Sequence, residues 1–144
     1  MALSITALVT EEQLLYLKNN GYQALSLTEA IEKLKHKTSE EEKFVVLTID
    51  DAYQSFYQNA LPLLKRYEMP ATLFVNTETV GAPDFMSWEE IKEARASGIE
   101  FGNHSHSHAY FLNGGIQEFE KDLNESEAIF NHYIGFMPKL YAYP

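Results

Sequence analysis

The sequence predicts an α/β fold built around a parallel sheet. Residues 44–49 form an apolar, β-branched run typical of a strand buried on both faces in such a sheet. Helical patterns alternate with further short apolar segments along the chain, which indicates βαβ units with right-handed crossovers. Hydrophobic residues make up 45% of the 144 residues, enough for a core. The alternation fits both a barrel and an open sheet.

The expected elements follow the order α-α-β-α-β-α-β-α-β. Thr10 is a plausible cap for a first helix that ends before Gly21. Pro62 lies inside the third expected helix and is expected to kink it. Residues 38–43 form a charged loop. The helices are expected at residues 10–20, 26–37, 53–67, 87–97 and 116–133, and the strands at residues 44–49, 71–75, 99–102 and 139–143.

Composition and charge exclude several classes of partner. The net charge of -10 argues against nucleic-acid binding and against docking on anionic lipid, whereas a neutral or cationic sugar polymer is permitted. The chain has no cysteine, so a metal would have to bind His, Asp or Glu. No apolar run has the roughly 20 residues of a transmembrane helix. Met1 to Thr10 does not resemble a signal peptide, although the full-length protein could still be exported.

Two clusters of polar residues follow expected strands. Asp50 and Asp51 come directly after the run at residues 44–49. His104 and His108 follow the strand at residues 99–102 with a spacing of four, so that one helical turn would bring both imidazoles to one side. His106 would then lie on the opposite side as a bystander. The alternatives are a solvated Asp-Asp turn that caps a helix and a polar loop with chance histidines.

Both clusters would face the same edge of a parallel sheet, because each lies at the carboxyl end of a strand. Two neutral imidazoles and one carboxylate form the three-ligand set of a catalytic Zn²⁺ that keeps a position open for water. The remaining carboxylate could accept a proton from that water. The sequence therefore predicts a hydrolytic metal centre.

These same residues carry a resemblance to a known family. Thr48-Ile49-Asp50-Asp51-Ala52 is similar to the motif Thr-Phe-Asp-Asp-Gly, and residues 102–108 contain the motif His-Ser/Thr-x-x-His after Gly-Asn. Residues 60–64 and 70–75 look like the stretch that joins these motifs. The chain thus resembles the polysaccharide deacetylase domain, carbohydrate esterase family four. That resemblance covers residues 10–144 and implies a parallel sheet in a partial, distorted (β/α) barrel.

The resemblance implies a role for each site residue. Asp51, His104 and His108 would bind a divalent metal, Zn²⁺ by first expectation with Co²⁺ or Ni²⁺ as alternatives. Asp50 would be the catalytic base, and the backbone N–H of Tyr143 would stabilise the oxyanion. The substrate would be an N-acetylglucosamine-containing polysaccharide, which loses its N-acetyl groups at an extracellular or cell-surface location of the full-length protein.

The chain also departs from the family pattern. Ala52 replaces the glycine of the first motif, which is tolerable if its φ is negative. Ala142 stands at the arginine position of the third motif, as in the branch that deacetylates poly-N-acetylglucosamine and other exopolysaccharides. The C-terminal motifs, including the histidine acid, are absent, so we expect residues 1–144 to be a single, incomplete domain. Open sheet edges would favour self-association and low activity of this chain alone.

The same residues are compatible with two other functions. A non-catalytic relative of the deacetylases would bind glycan or metal without turnover. An unrelated metallohydrolase on a barrel would use a ligand set other than Asp51, His104 and His108. Release of acetate that depends on Asp50 would separate the deacetylase from both.

Overall fold

A computed structural model describes residues 7–36, 42–110 and 114–144. Helices alternate with strands that pair in parallel, so the predicted α/β class is confirmed. The helices are α1 (Ala7–Asn19), α2 (Leu27–Lys35), α3 (Leu61–Tyr67), α4 (Trp88–Ala96) and α5 (Gly115–Ile134), with a π-helical segment, Phe56–Ala60, before α3. The strands are β1 (Gln23–Leu25), β2 (Phe44–Val46), β3 (Thr48–Ile49), β4 (Thr72–Val75) and β5 (Glu100–Asn103).

The five strands form two sheets. Strands β1 and β2 pair with each other, and β4 lies between β3 and β5 in the second sheet. Thr72 of β4 lies opposite both Thr48 and Glu100, so the three strands run in the same direction with their carboxyl ends at one edge. Tyr141 forms a parallel bridge to Asn103 beyond β5. The sheet therefore gathers the segments that follow β3, β4 and β5 on one side.

The prediction for residues 44–49 was wrong in two respects. The run divides at Leu47 into β2 and β3, which belong to different sheets, and none of its side chains is fully buried. Strands β2 and β3 each pair with one strand within the described part of the chain, so their apolar side chains have fewer neighbours than those of a central strand. The fully buried strand is β4, all four of whose residues are buried.

Three further differences concern short elements. Strand β1 was not predicted, since three residues, one of them a polar glutamine, carry too little pattern to be recognised. The strand expected at residues 139–143 is reduced to the single bridge at Tyr141. The helix expected at residues 53–67 is interrupted by the π-helical segment, and Pro62 lies in the first turn of α3, directly after that segment. The end of the second expected helix and most of the charged loop lie outside the described residues.

The core lies between the second sheet and the helices α3, α4 and α5. Leu73 and Val75 of β4 and Ile91 of α4 are completely buried within it. Phe130 of α5 is also completely buried and meets the Trp88 ring edge-on, with the ring centroids 5.9 Å apart. Trp88 thus packs in the core. None of the helices in the described ranges is both long and apolar enough to cross a membrane.

Close packing between β4 and β5 depends on Gly102. A β-carbon at this position would lie 2.3 Å from two ring carbons of Phe74, nearer than real contacts allow. We expect Gly102→Ala to lower the free energy of unfolding by about 1–3 kcal/mol, as overpacked cores do. Urea denaturation will measure the change. The loss should shrink in a Phe74→Leu background, where the ring is gone; an equal loss in both backgrounds would contradict the packing explanation.

A capping box begins α4. The Ser87 hydroxyl accepts from the Glu90 N–H, and the Glu90 carboxylate accepts from the Ser87 N–H. Burial raises the pKa of Glu90, but hydrogen bonds from Ser87 and Gln54 outweigh it and bring the pKa below its usual 4.5. The folded state therefore favours the charged carboxylate, whose stabilising contribution is full above pH 4.5 and is lost as pH falls through the lowered pKa.

We therefore expect Glu90→Gln to destabilise the protein at pH 7 and to differ less from the wild type at pH 3. Urea unfolding at the two pH values measures the difference in the free energy of unfolding between variant and wild type. Glu89→Gln is the matched control, since Glu89 is an exposed neighbour whose contact with Lys92 is a surface ion pair. If the stability difference between Glu90→Gln and the wild type is the same at both pH values, the charge of Glu90 does not contribute to stability.

Candidate metal centre

The turn after β3 carries the first part of the site. Asp51 and Ala52 both adopt left-handed backbone conformations, with φ of 69° and 54°. The condition under which Ala52 could replace glycine without strain, a negative φ, is therefore not met. This conformation costs a non-glycine residue roughly 1–2 kcal/mol. Two contacts offset that cost: the Ala52 methyl is buried in the core, and its carbonyl accepts a hydrogen bond of 2.9 Å from the Met86 N–H.

The segment after β5 carries the second part. His104 to His108 form a bend and not the helical turn that the spacing predicted. Ser105 and His108 have φ of 69° and 54°, left-handed values that a right-handed helical turn does not contain. The rings nevertheless approach each other, with centroids 5.1 Å apart. The expected proximity is thus present, but it arises from left-handed residues that a spacing rule does not anticipate.

The three expected metal ligands meet at the sheet edge. Oδ1 of Asp51 lies 3.6 Å from Nε2 of His104 and 3.2 Å from Nε2 of His108. One ligand atom from each residue lies within 4.8 Å of the other two. Ligand atoms around a tetrahedral Zn²⁺ are separated by about 3.3 Å, given metal–ligand distances of roughly 2.0–2.1 Å. The spacing and the chemistry of these donors fit one divalent ion.

The tautomer of His104 also fits metal binding. Its Nδ1 lies 3.0 Å from the carbonyl oxygen of Ala142. A carbonyl can only accept, so Nδ1 carries a proton, and in the neutral imidazole Nε2 then presents its lone pair toward Asp51. A backbone carbonyl in this position is a common outer partner of metal-binding histidines. The His104 side chain is almost completely buried, whereas that of His108 is half exposed.

Buried polar groups of α5 and Asn103 form hydrogen bonds with the histidine bend, residues 104–108. Asp122 of α5 accepts hydrogen bonds from the N–H groups of His106 and Ser107. The Asn103 side chain accepts from the Ser105 N–H and donates to the hydroxyl of Ser126, which is also on α5. These α5 residues were not identified from the sequence. Their signal is that Asp122 and Ser126 share the four-residue spacing of the buried Phe130 and therefore occupy the inner face of the helix.

His106 is not one of the three clustered ligand residues, as predicted. It is still more than a bystander, because its Nδ1 lies 2.9 Å from the hydroxyl of Thr77, after β4. Its Nε2 lies 3.5 Å from a carboxylate oxygen of Glu125 on α5. The ring therefore joins the histidine bend to two neighbouring segments.

Asp50 and Tyr143 lie next to the cluster in sequence. Asp50 is exposed and immediately precedes Asp51, and Tyr143 directly follows Ala142, whose carbonyl accepts from His104. The Tyr143 ring is 75% exposed and lies beside Phe119. The roles expected for Asp50 as base and for the Tyr143 N–H as oxyanion donor stay predictions.

Tyr141 belongs to the same segment and directly precedes Ala142. Burial, followed by the nearby negative charge of Asp122 and by Tyr143, raises the pKa of Tyr141 to about 12. Its hydroxyl is buried and has no hydrogen-bond partner within the described ranges. Beside this segment lies a mainly apolar cavity of about 550 Å³. Its lining includes Tyr110, Ile116, Phe119 and Tyr143.

Comparison with known proteins agrees with this geometry. The sequence profile described as "Polysaccharide deacetylase" matches residues 37–144. The poly-beta-1,6-N-acetyl-D-glucosamine N-deacetylase of Staphylococcus epidermidis is 31% identical over 155 aligned residues, which cover 98% of this chain. The chain spans 53% of that relative's length.

Two solved structures share the fold. IcaB from Ammonifex degensii superposes with a TM-score of 0.90 at 30% identity, covering 97% of this chain and 66% of that one. The Streptococcus pyogenes deacetylase PplD, in complex with acetate, has a TM-score of 0.89 at 26% identity and covers 100% of this chain and 65% of its own. These matches confirm the expected barrel-type fold. By its profile match, its sequence similarity and its fold, this chain belongs to the polysaccharide deacetylase family.

Proposed function

We propose that this chain carries the metal centre of a hydrolase that removes N-acetyl groups from an N-acetylglucosamine-containing polysaccharide. The observation that carries the proposal is the cluster of Asp51, His104 and His108, with a second carboxylate, Asp50, directly beside it. The family membership and the substrate named for the Staphylococcus epidermidis relative support the same reaction. The acetate bound to PplD is the product that such a reaction releases.

Each residue has a distinct task in this proposal. Asp51, His104 and His108 would hold a divalent ion, and the Ala142 carbonyl keeps the lone pair of His104 directed inward. Zn²⁺ is the first candidate, with Co²⁺ and Ni²⁺ as alternatives, and such an ion would supply Lewis-acid polarisation of the amide carbonyl and a more acidic water. Asp50 would accept the proton of the attacking water, and the Tyr143 N–H would donate to the oxygen that becomes negative.

The surroundings suit a glycan. Tyr110 and Tyr143 are about three-quarters exposed, and both line the cavity next to the histidine bend. Such aromatic faces can pack against the apolar faces of sugar rings. The net charge of -10 suits a neutral polymer and the cationic amine that deacetylation creates. The full-length protein would then meet its polymer outside the cell or at the cell surface.

Acetate release tests the reaction. The full-length protein that contains this chain should release acetate from oligomers of β-1,6-linked N-acetylglucosamine. Asp50→Asn should reduce kcat by about 10²–10⁴-fold, the usual contribution of a general base. Asp84→Asn is the matched control, because Asp84 is exposed and its left-handed φ of 70° suits asparagine. No acetate from the wild type would reject the deacetylase.

Metal binding tests the ligand set separately. We expect chelator-treated protein to bind about one Zn²⁺, and His108→Ala to weaken binding by at least about 100-fold, since one of three ligands is lost. Isothermal titration calorimetry measures both, with the exposed His36→Gln as control. Zinc binding without acetate release would support a non-catalytic relative. Unchanged affinity in His108→Ala would point to a different ligand set and hence to a different metallohydrolase.

A further inference from the structure

The Asp122 carboxylate is buried and fully engaged with the histidine bend. The residue is 8% exposed. One oxygen accepts from the His106 N–H at 2.7 Å, and the other accepts from the Ser107 N–H at 2.8 Å and from the Ser107 hydroxyl at 2.5 Å. A buried carboxylate requires such donors, because without them its desolvation would be unfavourable. Asp122 is therefore placed to fix the backbone midway between His104 and His108.

The bend needs such a support. Ser105 and His108 lie in the left-handed region that non-glycine residues rarely adopt, so the surrounding contacts must select this conformation. Within the bend, the Ser105 hydroxyl accepts from the His108 N–H, and the Asn103 side chain accepts from the Ser105 N–H. Asp122 binds the backbone N–H groups of the two residues between these bonds, His106 and Ser107, and so joins the main chain of the bend to α5.

We propose that Asp122 is a positioning residue for the metal centre, which holds the bend so that both imidazoles face Asp51 before an ion arrives. This inference rests on the proposed function, because it assumes that the three residues bind a metal. Asparagine could not replace Asp122 in this role. Its amide would direct an N–H₂ group at one of the N–H donors, which would leave that side of the bend without an acceptor.

Zinc affinity of the chelator-treated protein is the first readout. We expect Asp122→Asn to weaken Zn²⁺ binding by about 10-fold, the lower end of what loss of an outer-shell partner costs. Ser107→Ala, which removes only the hydroxyl contact, should weaken binding by about threefold. Glu120→Gln removes the same charge from an exposed position of α5 and should leave affinity unchanged. Ser26→Ala removes the cap of α2, whose first turn bonds Thr72 and Glu100 at the opposite edge of the sheet, and should also leave affinity unchanged.

Amide hydrogen exchange of the metal-free protein is the second readout. The N–H groups of His106 and Ser107 should exchange faster in Asp122→Asn than in the wild type, whereas amides in β4 should keep their rates. If Asp122→Asn does not fold, Ser107→Ala decides the question by both readouts.

The outcomes separate the two proposals. If the wild type binds Zn²⁺ and the Asp122 and Ser107 variants bind it equally well, the positioning role is overturned while the metal centre stands. Unchanged exchange at His106 and Ser107 would overturn it in the same way. If His108→Ala shows that the three residues bind no metal, both proposals fall together.

Discussion

The candidate site depends on the parallel pairing of β3 and β5 with β4. Parallel strands lie about 4.8 Å apart, so the ends of the two outer strands are separated by roughly 10 Å across the end of β4. The side chains of Asp51 and the two histidines bridge this distance, since their ligand atoms approach to 3.2–3.6 Å. A shift of one residue in either pairing would turn Asp51 or His104 away from the common edge.

The segment that follows β4 lies alongside the histidine bend and supplies none of the three clustered ligand residues. The N–H groups of Thr77 and Glu78 donate to the carbonyls of Ser105 and His106, so the chain after β4 continues alongside the histidine bend. On the opposite side, α5 supplies buried polar groups to the same bend. The bend is thus supported on two sides, while the side chain of His108 stays half exposed to solvent.

Sequence reasoning predicted most of what local chemistry determines. The strand at residues 71–75 and the proximity of an Asp-Asp turn to a histidine cluster both follow from short patterns whose physical meaning is local or topological. The role of each ligand residue came from a resemblance in which both motifs match at the positions that carry the chemistry.

What sequence reasoning missed depends on tertiary contacts. The division of residues 44–49 at Leu47 reflects which neighbour each half pairs with, and not any change in residue type. The positive φ of Ala52 is tolerated because a buried methyl and a bonded carbonyl compensate for it, and neither is visible before the fold is known. Asp122 lies 14 residues beyond His108, and its contact with the histidine bend depends on which face of α5 packs against the sheet. Long-range packing overrides local preference at each of these positions.

The hydrogen bond from His104 to Ala142 has a consequence for sequence variation. The acceptor is a main-chain oxygen, so the side chain at position 142 can change without altering which nitrogen of the imidazole is protonated. The same residue donates its N–H to the carbonyl of Asn103 at 3.0 Å, so proline alone among the twenty amino acids would remove a bond there. Homologous chains could therefore carry very different residues at this position and still hold the imidazole in the same state.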